Sequence, residues 1–236
     1  MKTNPKNLAF TLLELMTVLA VIVILTAMVV GVAGLVQNKS AKARATTEIA
    51  MLALAAEGYK GDNGSYPQGH EKPDDFKSEV PSDELVPRKH FRPNSDDKSK
   101  YEKASLAFYR ELTGDNEEKP DGKPDKDRAI YLKEFDPRIL KKSAGTGTGS
   151  AATIEVKYFQ DPFGYPFGYS TAAAKVERKF QKDLRKDSTT QRPSGEEIEG
   201  FNSATFDLWS TSGSSPSSEV KGKDKETEHA KWIKNW

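Results

Sequence analysis

The sequence predicts an α+β protein: one long N-terminal helix followed by a polar head built on a small antiparallel sheet. Three observations point there. The concentrated hydrophobicity is confined to the first 36 residues. An apolar stripe at helical spacing continues from that point to Tyr59. Short runs with strand alternation, bounded by Gly and Pro, occur after residue 150.

Composition narrows the chemistry. The chain has 236 residues, and 36 Lys and Arg nearly balance 35 Asp and Glu, for a net charge of +1. That balance excludes a strongly basic nucleic-acid binder, so no nucleic-acid partner is expected. There is no Cys, hence no disulfide framework, thiolate zinc site, iron–sulfur cluster or cysteine nucleophile. His70, His90 and His229 are the three histidines, too few for a His-based metal cage. Nucleophile-elbow, zincin, phosphate-loop and dinucleotide-binding motifs are all missing, so no enzymatic activity is expected.

The first element opens with MKTNPKNLA, short and positive through Lys2 and Lys6. From Phe10 to Val36 the one charge is Glu14, and Leu15–Val36 holds none over 22 residues. A bilayer core needs about 20 apolar residues as a helix, so this run is long enough to span. It exceeds the apolar region of about 7–15 residues of a secretory signal peptide. The basic residues before it favour a cytoplasmic N-terminus. Glu14 is the anomaly, because a carboxylate in an apolar helix is costly and tends to be functional.

The stretch LAFTLLELMTVLAVIVIL resembles the type IV pilin-like prepilin signature. In that family a basic leader is removed by a prepilin peptidase, and a Glu stands at the fifth mature position. The resemblance implies cleavage between Ala9 and Phe10, N-methylation of Phe10 and an assembly role for Glu14. Phe10, Thr11, Leu12, Leu13, Glu14 and Leu15 fit the pattern. The family usually has Gly before the cut, where this chain has Ala9. The physics suits the implied role of Glu14: a carboxylate among packed apolar helices needs a positive partner, and a neighbouring subunit's N-terminal amine supplies one.

After Val36 the pattern turns amphipathic. Ala45, Ile49, Leu52, Ala56 and Tyr59 form one helical face, with Lys42, Arg44, Glu48 and Glu57 mostly off it. Gly58 and Gly61 are natural stops. One helix from about Phe10 to Tyr59 is predicted, about 75 Å long at roughly 1.5 Å per residue. The loop GDNGSYPQG follows, and its Gly64–Pro67 stretch resembles a G-x-Y-P segment of major pseudopilins of type II secretion systems.

Residues 70–100 read as irregular, punctuated by Pro73, Pro81, Pro87 and Pro93. Residues 99–113 read as a helix with Leu106, Tyr109 and Leu112 on one face and Gly114 closing it. The charged segment 115–128 does not match the EF-hand ligand spacing through Asp121, Asp125 and Asp127, and reads as a solvated loop. A Gly/Ser/Thr tract at 143–152 precedes a strand at 153–159. DPFGYPFGYS, 161–170, reads as a tight hairpin joining two short strands. It resembles the D-P-W-G-x-P-Y-x-Y segment of G-type major pseudopilins through Asp161, Pro162, Gly164, Pro166 and Tyr169, with Phe163 and Phe167 replacing other aromatics. Residues 172–186 read as a short helix on Val176, Phe180 and Leu184, and 187–200 as loop. TFDLWSTSG, 205–213, reads as a further strand. Its Phe206, Asp207 and Leu208 resemble the family's F-D-L segment. In calcium-binding relatives the next loop carries acidic ligands; here Asp207, Glu219 and Asp224 are the oxygen donors at hand, and without an acidic cluster no cofactor is expected. The C-terminal Trp232 and Trp236 are expected to pack back on the sheet.

The domain plan is therefore a leader at 1–9, a membrane and filament-core half-helix at 10–36, an amphipathic half at 37–60 and an extracytoplasmic head at 61–236. Insertions fall at about 70–150 and 171–203. The resemblance implies a pilin-like fold and a subunit that assembles with copies of itself and with minor pseudopilins. It also implies a prepilin peptidase and an inner-membrane platform with its ATPase as partners. The implied location is the inner membrane with a single pass and a periplasmic head, then a periplasmic or surface filament. The alternative reading is a bitopic, membrane-anchored binding module that does not polymerise.

Overall fold

A computed structural model describes residues 12–68, 80–117, 119–144, 154–194 and 197–236, the side chains of 29–33 and 144 excepted. The expected leader and its Ala9–Phe10 cleavage position, His70, Pro73 and the Gly145–Gly149 tract lie outside the described residues. The chain divides into two units, Met1–Ala41 and Lys42–Trp236. Helix α1, Leu12–Asn63, contributes to both.

In the first unit the described side chains of α1 are all exposed up to Met28. Thr17 and Thr26 return their hydroxyls to the carbonyls of Glu14 (2.8 Å) and Ile22 (2.7 Å), which satisfies their polar atoms inside an apolar helix. Among the described residues no helix is long and apolar enough to cross a membrane. The sequence of the same helix nonetheless carries no charge from Leu15 to Val36.

The second unit is an α+β head built around the rest of α1. Ala45, Ile49, Leu52 and Ala56 are buried as the periodicity predicts, joined by Ala55. Two local expectations are corrected. The helix runs through Gly58 and Gly61 and ends at Asn63, because packing against Tyr131 and the Asn63 bonds to Tyr59 O (2.9 Å) and Tyr131 Oη (3.0 Å) outweigh glycine's weak propensity. Gly64, at φ 72°, makes the stop, its N–H donating to Lys60 O. Glu48, read as lying off the apolar stripe, is buried; it adjoins Ile49 on the inner face and is held by Arg44 at 3.1 Å.

The other elements are α2 (Pro81–Glu84), α3 (Lys98–Thr113), β1 (Leu140–Ala144), β2 (Ile154–Phe159), β3 (Gly168–Ser170), α4 (Ala172–Leu184), β4 (Asp207–Ser210), α5 (Asp224–Lys231) and β5 (Ile233–Lys234). Pro81 opens a helix instead of breaking one, since a first-turn N–H needs no partner. α3 ends on Gly114 at φ 73° as expected, and it lies against β2 and β3.

One small sheet was expected; there are two. β1 and β2 pair antiparallel, and β3, β4 and β5 form an antiparallel set in that order. The 161–170 hairpin does not join β2 to β3 in one ladder. An isolated bridge, Gln160 with Pro166, is the remnant. The Asp161 side chain accepts the N–H groups of Phe163 and Tyr165, which redirects them from any ladder across the turn.

The core has two clusters. The first joins α1, α3 and both sheets through Leu52, Phe108, Tyr109, Phe159, Tyr169 and Phe206. The second holds Leu85, Phe91, Tyr101, Ala104, Trp209 and Trp232. Trp232 stacks on Trp209 at 5.6 Å and 6°, and Trp236 stacks on Phe201 at 4.6 Å, so both terminal tryptophans pack back as expected. Gly168 is required by closeness: a Cβ there would lie 2.1 Å from the Trp209 ring.

Candidate functional site

Two places hold the residues singled out in the sequence: the start of α1 and a junction in the head. Ala9 and Phe10 lie outside the described residues. Glu14 stands in the first turn of α1, among exposed Leu12, Leu13 and Leu15. A carboxylate in a first turn is favoured by the positive end of the helix dipole. The described side chains that share this turn, Leu12, Leu13 and Leu15, are apolar.

The head junction brings three separate sequence motifs together. Tyr169 donates its hydroxyl to Pro67 O at 2.5 Å, across 102 residues. Its ring stacks on Phe108 (3.8 Å, 10°) and meets Phe206 at 5.6 Å. Tyr66 meets Phe206 edge-on at 4.9 Å, and its hydroxyl bridges Lys60 and Glu57. The segments Gly64–Pro67, 161–170 and 205–213 thus converge at the C-terminal end of α1.

Asp161 organises the turn before β3. Its Oδ1 accepts from the N–H groups of Phe163 (3.0 Å) and Tyr165 (2.9 Å), and its Oδ2 from the Ser210 hydroxyl at 2.5 Å. The residue is 1% exposed. Burial pushes its carboxyl up to about 6, against the pull of those hydrogen bonds. Pro162 is half-buried, Pro166 is buried, and exposed Gly164 adopts φ 92°, where a side chain would be strained. Asp207 does the same work at the next corner, accepting Phe201 N–H at 2.8 Å and Asn202 N–H at 2.9 Å. Burial raises its carboxyl, and the two backbone bonds and Arg88 oppose that. Leu208, beside it, is fully buried in the first core cluster.

The structure does not bring the calcium candidates together. Both Asp207 oxygens are already taken by the backbone. Glu219 is exposed and pairs with Lys221 at 2.9 Å, and Asp224 is exposed at the start of α5. Among the described residues no three acidic or histidine side chains are placed to hold a metal ion. The described histidines serve the fold. His90 Nδ1 accepts from Val86 N–H at 2.8 Å, and burial with Lys100 beside it lowers the ring to about 4. His229 donates Nε2–H to Pro87 O at 2.9 Å, and burial holds it below its ordinary value.

Sequence reasoning missed Asp115. It is fully buried and accepts from Tyr109 Oη (2.6 Å) and Gly122 N–H (2.8 Å), tying down the charged loop that reads as solvated. Its position directly after the αL residue Gly114 was the available signal.

No curated protein and no solved structure matches the chain with significance. Residues 4–30 match the family model described as the prokaryotic N-terminal methylation motif. That stretch contains the expected cleavage position between Ala9 and Phe10, Glu14 and the opening of α1. The chain thus carries a prokaryotic N-terminal methylation motif that leads into α1, and its long N-terminal helix packed with small antiparallel sheets is consistent with a pilin-like fold.

Proposed function

We propose that this chain is a pseudopilin-like filament subunit, assembling into the type II secretion pseudopilus or a related type IV pilus. The observation that carries the reading is the methylation motif at 4–30 leading directly into α1, whose large apolar side chains are exposed, Leu12 by 80%. So much exposed apolar surface calls for a bilayer or for neighbouring helices. The charge-free run of 22 residues is about 33 Å long as a helix, close to the hydrocarbon thickness of about 30 Å. The subunit waits in the inner membrane with its head outside the cytoplasm. A prepilin peptidase cuts before Phe10, and the methylated amine of one subunit pairs with Glu14 of the next. Apolar faces supply the association energy, and the ion pair sets the register. The platform protein and its ATPase drive insertion into the filament, beside minor pseudopilins. The work is assembly, without catalysis or a bound cofactor.

Mass spectrometry of the N-terminus from native membranes tests the reading. A chain starting at methylated Phe10 is the expected result. A chain still starting at Met1 would refute it in favour of a membrane-anchored binding module. Glu14→Gln should leave membrane insertion intact and abolish assembly; filaments at wild-type yield would remove Glu14 from the mechanism.

A further inference from the structure

A cavity of about 360 Å³ opens between the turn at 86–90, the corner before β4 and the start of α5. That volume lies in the range of small-ligand sites, about 300–1,000 Å³. Its lining includes Arg88, Lys89, Phe201, Lys225, Glu226 and His229. Arg88 is the fixed point. Its Nε–H donates to Gly200 O at 2.8 Å, and its guanidinium lies over the Phe201 ring, 4.4 Å from the centroid. Phe201 is held in turn: its ring stacks on Trp236 and meets His229 edge-on at 5.0 Å, and its N–H is bound by Asp207. His229 donates to Pro87 O, next to Arg88 in the chain, at 2.9 Å.

This frame leaves the outer fork of Arg88 uncommitted. The side chain is half-buried, yet its two Nη groups make no hydrogen bond or ion pair among the described residues. Asp207 feels the charge of Arg88, but both its oxygens accept backbone N–H groups. Three cations line the cavity against one acid, the exposed Glu226, and Lys89 shares its charge with Glu199 at 3.1 Å. The field is positive at His229 as well. After burial itself, Lys234, Arg88 and Lys225 each hold the ring below its ordinary value, against the bond to Pro87.

We propose that this cavity binds a single carboxylate, from a small organic acid or from the end of a polypeptide chain, on the Arg88 fork, with Lys225 supplying a second positive charge. Two features choose that chemistry. A guanidinium pinned through Nε and stacked on a ring keeps its planar fork preorganised, and a carboxylate matches that fork with two parallel N–H bonds. Glu226 works against a more highly charged anion such as phosphate, which it would meet as a like charge.

Isothermal titration calorimetry on the full chain in nonionic detergent, unassembled, reads binding whether or not the chain polymerises. The probes are propionate, N-acetyl-tetraglycine, its C-terminal amide and inorganic phosphate. The expected result is one-site binding of propionate or of the acetylated peptide with a Kd of about 1 mM or tighter, and none of the amide. Tighter binding of the peptide assigns a chain end, and tighter binding of propionate a small acid. Arg88→Gln should weaken binding about tenfold or more. That variant also loses the anchor on Gly200 O, so Lys225→Gln, which keeps the anchor, is the second variant and should weaken binding about two- to fivefold. Lys182→Gln, an exposed control on α4, should change nothing. No binding of either carboxylate, equal binding of the amide, tighter binding of phosphate, an equal loss in the control, or binding indifferent to either cavity variant would each overturn the proposal.

Discussion

Replacing Asp161 by Asn removes a charge whose cost is visible in the structure. The carboxyl is 1% exposed, and its proton is held up to about 6, against an ordinary value of 3.8. In the unfolded chain the group ionises near 3.8; in the folded head it does so near 6. Below about pH 4 both states are protonated and there is no penalty. Between 4 and 6 the unfolded state loses its proton first, so stability falls as pH rises. Above 6 the penalty is complete, and the gap of about two pH units amounts to about 3 kcal/mol. This sign is opposite to that of a salt-bridged aspartate. Asn has nearly the same shape, accepts the Phe163 and Tyr165 N–H groups through its carbonyl, and offers its amide to the Ser210 oxygen. The difference in stability between Asp161→Asn and wild type should therefore shift by about 3 kcal/mol in favour of Asn from pH 4 to pH 7. Urea unfolding of the full chain in nonionic detergent, read by the emission of buried Trp209, measures it. Taking the difference cancels the titration of other carboxyls, such as Asp136, which Arg138 holds down at about 2. Two curves that stay parallel across pH 4–7 would refute the reasoning, and a shift in favour of Asp would show that the three hydrogen bonds outweigh burial.

Other substitutions probe the packing. Gly168→Ala places a Cβ 2.1 Å from the Trp209 ring and should cost about 3 kcal/mol or prevent folding, seen as a lowered urea midpoint. Gly164→Ala meets open space but a φ of 92°, and should cost only about 1 kcal/mol by the same measurement. Tyr169→Phe keeps the stacking on Phe108 but deprives Pro67 O of its donor; about 1–2 kcal/mol should be lost, and an unchanged midpoint would show that the bond contributes nothing.

How much was legible in the sequence depended on whether the signal was local. The stripe from Ala45 to Tyr59 has one period over several turns, and it predicts both the helix and its buried face. The terminal tryptophans were legible too, being large apolar groups in a polar segment. The end of α1 was not, because Gly58 is held helical by Tyr131, which lies 73 residues further on in the sequence. The division into two sheets depends on where Asp161 sends its oxygens, and strand alternation carries no record of that. α5 was missed because DKETEHAK is polar nearly all round, with His229 its buried residue. At the candidate site, Glu14 stood out as a charge in an apolar run. The meeting of Pro67, Tyr169 and Phe206 is tertiary and was readable only as three separate resemblances.

The contacts that close the head share one property: they join residues far apart in the chain. Trp209 Nε1–H reaches Tyr101 across 108 residues, Arg88 reaches Gly200 O across 112, and His229 reaches Pro87 across 142. High contact order slows folding, because loop entropy is lost before contacts compensate it. A ribosome delivers this chain N-terminus first, so α1 and α3 exist for a time with Leu52, Phe108 and Tyr101 uncovered. Residues 207–234 act as a late clasp, and the second core cluster has no floor until Trp209 and Trp232 arrive. During that interval the nascent head is open to proteolysis and to mispairing with other unfinished heads. Quality control would therefore act on a kinetic window, and a slow clasp would lower subunit supply even when the finished head is stable.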